Sequence, residues 1–234
     1  MPTVVITGAS HGIGAAIARS FAGEPDARIA LIARSKSRLE SVAESCERLG
    51  AEAMVLPCDV TDAPAVSTAA GRIIDAWGAP DVLVNNAGQF VPGTISETSV
   101  EDFRYQVDVN LNSAFMVTRS FLQLMKDRGT GTILFMASVA SVKAYPGGVA
   151  YCAAKHGLLG LARVTREETR GSGVRATALI LGGTYTPSWE GAGLPEERFI
   201  PAEDVASVVM DVYRKSDRTV VEEIVIRPAE GDIP

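Results

Sequence analysis

The stretch TVVITGASHGIG, residues 3–14, begins with a short β-branched run and continues into a turn that contains three glycines. Glycine reaches positive φ without strain and lets backbone N–H groups approach a ligand closely. The helix expected to follow would direct unpaired N–H groups and the positive end of its dipole to the same place. The stretch therefore predicts a strand, a phosphate-binding turn and a helix. Because the spacing G-x3-G-x-G differs from the common G-x-G-x-x-G fingerprint, a tight corner without a ligand is an alternative at this point.

Short aliphatic runs alternate with segments of helical length along the whole chain. The predicted strands are 3–7, 28–33, 53–57, 81–84, 131–136, 174–181 and 219–226, and the predicted helices are 12–22, 36–49, 62–77, 100–128, 150–171 and 202–215. Most of these strands are continuously apolar, as expected when both faces of a parallel sheet are covered. We predict an α/β fold: a single-domain, Rossmann-like, doubly wound parallel sheet of about seven strands with helices on both faces.

No low-complexity linker, charge run or internal repeat divides the sequence, so we expect one domain over residues 1–234. One long irregular stretch, residues 182–201, is rich in glycine and proline. A loop of that length in a compact domain is typical of a functional element. We predict that residues 184–200 form a substrate lid.

Composition excludes several classes of function. The formal net charge of −6 argues against nucleic acid as a partner, because phosphate binding requires clustered Lys and Arg. No apolar run approaches the roughly 18 residues that span a bilayer, and a strand beginning at Thr3 leaves no room for a targeting segment. Three cysteines and two histidines suit neither a disulfide framework nor a zinc site. We expect a cytoplasmic protein with no membrane partner and no metal.

The end of the second predicted strand indicates which cofactor the turn would bind. A dinucleotide fold that selects NAD usually carries an acidic residue about 20 residues beyond the glycine turn, where it binds the ribose hydroxyls. Here the strand ends in LIARSKSR, and no acidic residue occurs between Asp26 and Glu40. Arg34 stands near the expected position, and a basic group there suits the 2′-phosphate of NADP. Lys36 and Arg38 are interpreted as exposed residues in the first turn of the next helix.

The strongest indication of chemistry is Tyr151 and Lys155, which share one face of a helix because they are four residues apart. Lowering the pKa of a tyrosine from near 10 to about 7 takes on the order of 4 kcal/mol of preferential phenolate stabilisation. A neighbouring ammonium group and a positively charged nicotinamide ring can supply it together. Ser138 follows the apolar run TILFMA, at the end of a strand where ligands bind in open α/β sheets.

These motifs together resemble the short-chain dehydrogenase/reductase family, classical type, over essentially the whole chain. The residues that carry the resemblance are, in order, Gly8-x3-Gly12-x-Gly14, CDVTD at 58–62, NNAG at 85–88, Asn110, Ser138 and Tyr151-x3-Lys155. The activity that this implies is hydride transfer between a nicotinamide cofactor, NADP(H) preferred, and a small-molecule carbonyl or alcohol substrate.

The resemblance implies four catalytic residues. Tyr151 would protonate the carbonyl oxygen in reduction, or deprotonate the alcohol in oxidation. Lys155 would bind the nicotinamide ribose and lower the pKa of Tyr151. Ser138 would donate a hydrogen bond to the substrate oxygen, and Asn110 would order a water molecule in a proton relay.

The resemblance also implies the residues that bind the adenosine part of the cofactor. Asp59 would accept a hydrogen bond from the adenine amino group, with Val60 beside it. Asn86, Ala87 and Gly88 would line the adenosine side of the cofactor site.

His11 precedes Gly12 at a position where NADP-using relatives often carry a basic residue, so we expect it to assist Arg34. Near neutral pH a histidine is only partly charged, so it would not substitute for that arginine. The complete predicted cofactor site is Gly8, Ser10, His11, Gly12, Ile13, Gly14, Arg34, Asp59, Val60, Asn86, Ala87, Gly88, Tyr151, Lys155, Thr184 and Thr186.

One segment departs from the family pattern. After the sixth strand the family usually has P-G-x-V-x-T, whereas this chain has LGGTYT at residues 181–186. Gly182 and Thr186 match, while Leu181 replaces proline and Thr184 replaces valine. Backbone contacts of Thr184 with the nicotinamide carboxamide are expected to survive this change.

The substrate pocket is predicted between residues 89–91, residues 139–145 and the lid. The lid carries four large apolar side chains, Tyr185, Trp189, Leu194 and Phe199. They favour an uncharged, partly apolar carbonyl substrate. Alternatively, Trp189 and Phe199 pack the lid against the domain.

The helices at 100–128 and 150–171 are unusually apolar, and in the family these helices pack against their copies. We therefore predict a homodimer or homotetramer. Two other functions stay open from the sequence: a non-catalytic NADP-binding regulator, and an isomerase, dehydratase or epimerase on a related scaffold. The intact Ser138, Tyr151 and Lys155 argue against the first, and the lack of a larger substrate domain argues against the second.

Overall fold

The computed structural model describes residues 1–189 and 193–233, and its centre is one parallel sheet. The strands are β1 (Thr3–Thr7), β2 (Arg28–Ala33), β3 (Glu52–Pro57), β4 (Val82–Asn85), β5 (Gly131–Ser138), β6 (Val174–Leu181) and β7 (Glu223–Ile226). Their order across the sheet is β3-β2-β1-β4-β5-β6-β7, and every neighbouring pair is parallel. The predicted doubly wound fold is confirmed.

Helices cover both faces of the sheet. They are α1 (Gly12–Ala22), α2 (Lys36–Glu47), α3 (Ala63–Trp77), α4 (Val100–Val107), α5 (Ser113–Arg128), α6 (Val149–Thr169) and α7 (Ala202–Tyr213). Helices α1, α2 and α7 pack in one hydrophobic core, and α3, α5 and α6 pack in a second. Alternate residues of β1 show the reason for its continuous apolar run: Val4 and Ile6 belong to the first core and Val5 to the second.

Most elements lie within two residues of their predicted bounds, and two elements differ more from the sequence prediction. Strand β7 begins at Glu223 rather than at 219, and before it the Thr177 hydroxyl donates to the carbonyl of Val221 (2.6 Å). The long helix predicted over 100–128 is divided by a π-helical turn, Asp108–Asn112. In this wider turn the N–H of Ser113 donates to the carbonyl five residues earlier.

Among the described residues, no helix has both the length and the apolar character needed to cross a membrane. Nor do three or more His, Cys, Asp or Glu side chains come together there as a metal site would require.

Candidate active site

The predicted site residues lie in segments that begin at the carboxyl ends of the parallel strands. The chain order reverses between β1 and β4, which are neighbours in the sheet. Ligands of open α/β sheets bind in the crevice at such a switch point. The fold therefore brings together residues that are more than 100 positions apart in the sequence.

The glycine turn between β1 and α1 needs its glycines for conformation and for space. Gly8 and Gly12 have φ values of +65° and +54°, a region that favours glycine. A Cβ on Gly8 would lie 2.9 Å from Asn86 Nδ2, and one on Gly12 would lie 2.8 Å from Thr186 Cγ2. The turn therefore packs closely against both the end of β4 and the beginning of the lid.

The N-terminus of α1 fits an anionic group. His11 precedes the helix in an extended conformation, its side chain makes no cap hydrogen bond, and the first turn carries no acidic residue. The first N–H groups of the helix and its positive dipole end are thus free of a competing side chain. A cavity of about 320 Å³ lies beside them, and its lining includes Ser10, Gly12 and Thr186 as well as Arg19, Glu196 and Glu203. These features fit the diphosphate of a dinucleotide. Ile13 is partly buried against the first core.

Thr7, which the sequence analysis missed, connects the glycine turn to β4. Its hydroxyl accepts hydrogen bonds from the backbone N–H groups of Asn86 and Ala87, both 3.0 Å. The Asn86 amide in turn donates to the carbonyls of Thr7 (2.9 Å) and Gly8 (3.1 Å). The two walls of the crevice are therefore fixed to each other.

The predicted adenosine-binding residues differ in their hydrogen bonds and in their exposure to solvent. Asp59 accepts from the backbone N–H and the hydroxyl of Thr61, at 2.9 and 2.8 Å. These hydrogen bonds lower the pKa of the Asp59 carboxyl, and the nearby charge of Arg34 contributes. Val60 is buried in the second core, whereas the Arg34 side chain is exposed.

His11 is less basic than a free histidine. Partial burial and the positive charge of Arg38 lower its pKa below 6.5. Its Nδ1 lies 2.9 Å from Ser10 Oγ. In the protein without cofactor, His11 is therefore mostly neutral near pH 7.

Three of the four predicted catalytic residues converge at the end of β5. Ser138 is the last residue of that strand, and its hydroxyl accepts from the Ala140 N–H (3.1 Å). The Lys155 Nζ donates to the Met136 carbonyl (2.8 Å) and lies 5.6 Å from the centre of the Tyr151 ring. Both Tyr151 and Lys155 are in the first two turns of α6, which delivers them to the same side of the strand end.

In the absence of cofactor, burial determines the protonation states of Tyr151 and Lys155. It raises the pKa of the Tyr151 hydroxyl, and the interaction with the Ser138 hydroxyl only partly opposes this. Burial also lowers the pKa of Lys155 to about 8. In the protein without cofactor, removal of the phenolate from water is the larger effect, and the lowering expected from Lys155 together with the nicotinamide ring stays a prediction. At neutral pH, Tyr151 is therefore protonated, the form that can donate a proton.

Asn110 is buried in the π-helical turn and fixes the segment after β4. Its Oδ1 accepts from the Gln89 N–H (3.1 Å), and its Nδ2 donates to the carbonyls of Gln89 (2.8 Å) and Gln106 (2.9 Å). A Cβ on Gly88 would lie 2.7 Å from Asn110 Oδ1 and 3.6 Å from Lys155 Nζ. Asn110 is thus close to Lys155, while its role in ordering a water molecule stays a prediction.

Gln106 was not found from the sequence. It is buried one helical turn before Asn110, and it makes a matching pair of hydrogen bonds to Val91: N–H to Oε1 (3.1 Å) and Nε2 to the carbonyl (3.0 Å). The available signal was two amide side chains at i and i+4, on one face of a predicted helix. Together they fix both ends of residues 89–91, one wall of the predicted substrate pocket.

Aromatic side chains surround the entrance to Tyr151. Phe90 packs edge-on against Tyr151 (5.2 Å between ring centres) and against Tyr145 (6.4 Å). In the lid, Phe199 is buried and packs with Tyr185 (5.7 Å) and Trp189 (5.0 Å). Phe199 is therefore buried among aromatic side chains of the predicted lid itself, and both interpretations of Trp189 and Phe199 stay predictions.

The two ends of the lid are hydrogen-bonded to each other. The N–H of Tyr185 donates to the Ile200 carbonyl, and the N–H of Ile200 donates to the Gly183 carbonyl, both 2.9 Å. Thr184 is buried, and its hydroxyl donates to the Gly182 carbonyl (3.2 Å). Residues 190–192 of the predicted lid lie outside the described residues.

Residues after β7 contact the lid and the pocket wall from outside. Glu230 pairs with Arg198 of the lid (3.2 Å), and Asp232 pairs with Lys143 of the loop after β5 (3.7 Å). Arg198 therefore lies at ion-pair distance from a carboxylate of this chain, although Nη1 makes no hydrogen bond to it.

Comparison with known proteins assigns the family. The family model described as short chain dehydrogenase matches residues 2–196. The chain belongs to the short-chain dehydrogenase/reductase family. It is an oxidoreductase of this family, which acts on CH–OH or C=O groups.

Named relatives match this short-chain dehydrogenase/reductase over nearly its whole length. Sepiapterin reductase of Chlorobaculum tepidum is 36% identical over 240 residues, which cover 98% of this chain and 97% of that protein. D-threitol dehydrogenase of Mycolicibacterium smegmatis is 32% identical over 224 residues, 91% of this chain and 85% of that protein.

Solved structures agree with this assignment. An alcohol dehydrogenase from the archaeon Thermococcus sibiricus, complexed with 5-hydroxy-NADP, has a TM-score of 0.92 and 31% identity, and the match covers 100% of this chain and 99% of that one. L-Sorbose reductase from Gluconobacter frateurii, complexed with NADPH and L-sorbose, has a TM-score of 0.89 and 26% identity over 97% and 95% of the two chains.

Proposed function

We propose that the protein is an NADP(H)-dependent reductase of uncharged, partly apolar carbonyl compounds, which also oxidises the corresponding alcohols. The observation that carries this proposal is the convergence of Ser138, Tyr151 and Lys155 beside a glycine turn whose helix has an uncapped N-terminus.

The diphosphate of the cofactor would lie at the N-terminus of α1, and Arg34 would bind the 2′-phosphate of NADP. Support for NADP comes from the absence of an acidic residue near Arg34 in the sequence and from the related alcohol dehydrogenase and sorbose reductase, which were solved with NADP-type cofactors. Bound NADPH supplies the hydride for the carbonyl carbon.

The chain's own residues would handle the proton and the substrate oxygen. Tyr151, protonated at neutral pH, donates its proton to the oxygen as the carbonyl becomes an alcohol. The Ser138 hydroxyl donates a hydrogen bond to the same oxygen and stabilises the developing negative charge. The Lys155 ammonium group would bind the nicotinamide ribose and, when charged, favours the phenolate that remains on Tyr151.

Substrate preference would follow from the apolar surroundings of Tyr151. Phe90 and Tyr145 present ring surfaces at the entrance, and Arg198 is paired with Glu230 rather than free for an anionic substrate. We propose that residues 184–200 act as a lid of one domain that spans residues 1–234.

The exposed faces of α4, α5 and α6 support a homodimer or homotetramer. Phe103, Phe115 and Val164 expose 38%, 51% and 55% of their surfaces, which is unusual for large apolar side chains on a helix face. A second copy of the chain packed on these helices would bury them.

The test is a panel of ketones, aldehydes, diketones and alcohols with NADPH and with NADH, followed by the absorbance of the reduced cofactor. We expect turnover of apolar carbonyl compounds with NADPH in preference to NADH. The Tyr151→Phe variant should lose about 10²–10⁴-fold in turnover and bind NADPH as before. Tyr213→Phe, which removes the hydroxyl of a tyrosine that packs against Phe21 in the first core, is the matched control. No turnover over the whole panel, or a clear NADH preference, would count against the proposal.

A further inference from the structure

We propose that Tyr105 is a positioning residue for cofactor selection, which holds the guanidinium group of Arg34 in place by a hydrogen bond and connects it to Gln89. The inference rests on the proposed function, in which Arg34 binds the 2′-phosphate of NADP. It assigns to the tyrosine hydroxyl a role in the distinction between NADPH and NADH.

Arg34, Tyr105 and Gln89 form a series of hydrogen bonds in which each residue donates to the next. Arg34 Nη1 donates to the Tyr105 hydroxyl (3.4 Å), and that hydroxyl donates to Gln89 Oε1 (2.9 Å). A guanidinium group has donors only, and a phenol has one proton and free lone pairs. Because the tyrosine gives its proton to the glutamine, its lone pairs are left for the arginine.

Gln89, at the end of this series of hydrogen bonds, is held in place by Asn110. The backbone N–H and carbonyl of Gln89 are both bonded to the side chain of Asn110, at 3.1 and 2.8 Å. Asn110 itself is buried in the π-helical turn. The exposed arginine is therefore connected, through two side chains, to a rigid part of the catalytic region.

The position of the connection matters for the cofactor. Arg34 follows β2 and Gln89 follows β4, and these strands flank β1 in the sheet. The hydrogen bonds therefore span the crevice at the carboxyl end of β1, where the glycine turn begins. Arg34 also lies close enough to Asp59, beyond β3, to influence its carboxyl. Without the tyrosine hydroxyl, the long arginine side chain would have more rotamers available and would lose more entropy when it binds a phosphate.

The ring and the hydroxyl of Tyr105 have separable roles. The ring is partly buried against the second hydrophobic core, so it contributes to packing. Tyr105→Phe retains this packing and removes only the hydroxyl. The variant therefore separates positioning of Arg34 from stability of α4.

The experiment is a double-mutant cycle on the full chain: wild type, Tyr105→Phe, Arg34→Ala and the double variant, with dissociation constants for NADPH and NADH measured by calorimetry. We expect Tyr105→Phe to weaken NADPH binding by about three- to tenfold, the net scale of one ordinary hydrogen bond, and to change NADH binding by less than about twofold. In the Arg34→Ala background the same change should have no further effect on NADPH. In steady-state kinetics the KM for NADPH should rise while kcat stays nearly constant.

Tyr213→Phe is the matched control, because Tyr213 packs edge-on against Phe21 in the first core, on the opposite face of the sheet. Equal weakening of both cofactors, an effect that persists without Arg34, or unchanged or tighter NADPH binding would each overturn the inference. A wild-type protein that binds neither cofactor, or prefers NADH, would instead overturn the proposed function, so the two failures are distinguishable.

Discussion

Replacement of Lys155 by methionine should make the protein more stable at pH 7 in the absence of cofactor. Lys155 is 5% exposed, and its burial lowers its pKa from 10.5 to about 8. The buried charge therefore destabilises the folded state relative to the unfolded chain. Methionine has a similar length and no charge.

The magnitude follows from the two pKa values. The lowering corresponds to roughly 3 kcal/mol of destabilisation at pH 7, where the lysine is charged in both states. Loss of the hydrogen bond to the Met136 carbonyl offsets about 1 kcal/mol. The variant should thus gain about 2 kcal/mol, or about 4–8 °C in Tm for a chain of this size.

The difference in stability between Lys155→Met and the wild type should depend on pH. Between the folded pKa, about 8, and the unfolded pKa of 10.5, the unfolded chain binds more protons, so the stability of the wild type rises with pH. At about pH 9.5 the cost of the buried lysine falls to roughly 1 kcal/mol, and the advantage of the variant should nearly vanish. Urea unfolding of cofactor-free protein at both pH values measures the difference, and groups common to both proteins cancel.

Lys143→Met is the control, because this lysine is 65% exposed and its replacement should change stability by less than about 1 kcal/mol at either pH. The reasoning is refuted if Lys155→Met is less stable than the wild type at pH 7, or if its advantage is the same at both pH values.

Three further predictions concern the reaction, the pocket wall and the assembly. Because burial raises the pKa of Tyr151, alcohol oxidation, which needs the phenolate, should accelerate toward alkaline pH, while carbonyl reduction should not; a parallel pH profile for both directions would contradict this assignment. Gln106→Leu leaves the backbone N–H and carbonyl of Val91 without their hydrogen-bond partner. Urea unfolding should therefore show a loss of about 1–3 kcal/mol in the free energy of unfolding. An unchanged midpoint would contradict the role of this side chain. Phe115→Glu should reduce the molar mass measured by light scattering, and a wild-type protein that is already monomeric would refute the proposed oligomer.

The architecture was predictable because each strand is marked by an aliphatic run and each turn by glycine or polar residues. β1, β2 and β6 have the bounds predicted from the sequence, since strands buried on both faces leave a continuous apolar signal. The pair Tyr151 and Lys155 was also visible, because helical spacing alone brings them to one face.

The contacts that fix the site were not predictable in the same way. Thr7 and Asn86 are 79 residues apart, and Tyr105 is 71 residues from Arg34, so no local pattern records these hydrogen bonds. The direction of the Tyr151 pKa shift depends on burial, which the spacing of two residues does not contain. The π-helical turn likewise lies within a sequence that has ordinary helical periodicity.

The junction of Thr7 with Asn86 has a consequence for folding. β1 pairs with β4 only after the chain has closed a loop of nearly 80 residues, so the crevice becomes a continuous surface late, when the two halves of the sheet meet. A nucleotide that binds across this junction recognises the assembled sheet and not either half. Binding should therefore hold the halves together by mass action, with about 2.7 kcal/mol of added stability at a ligand concentration one hundred times the Kd. In the cell, the concentration of cofactor would then influence the fraction of the protein that is folded, as well as the rate of the reaction.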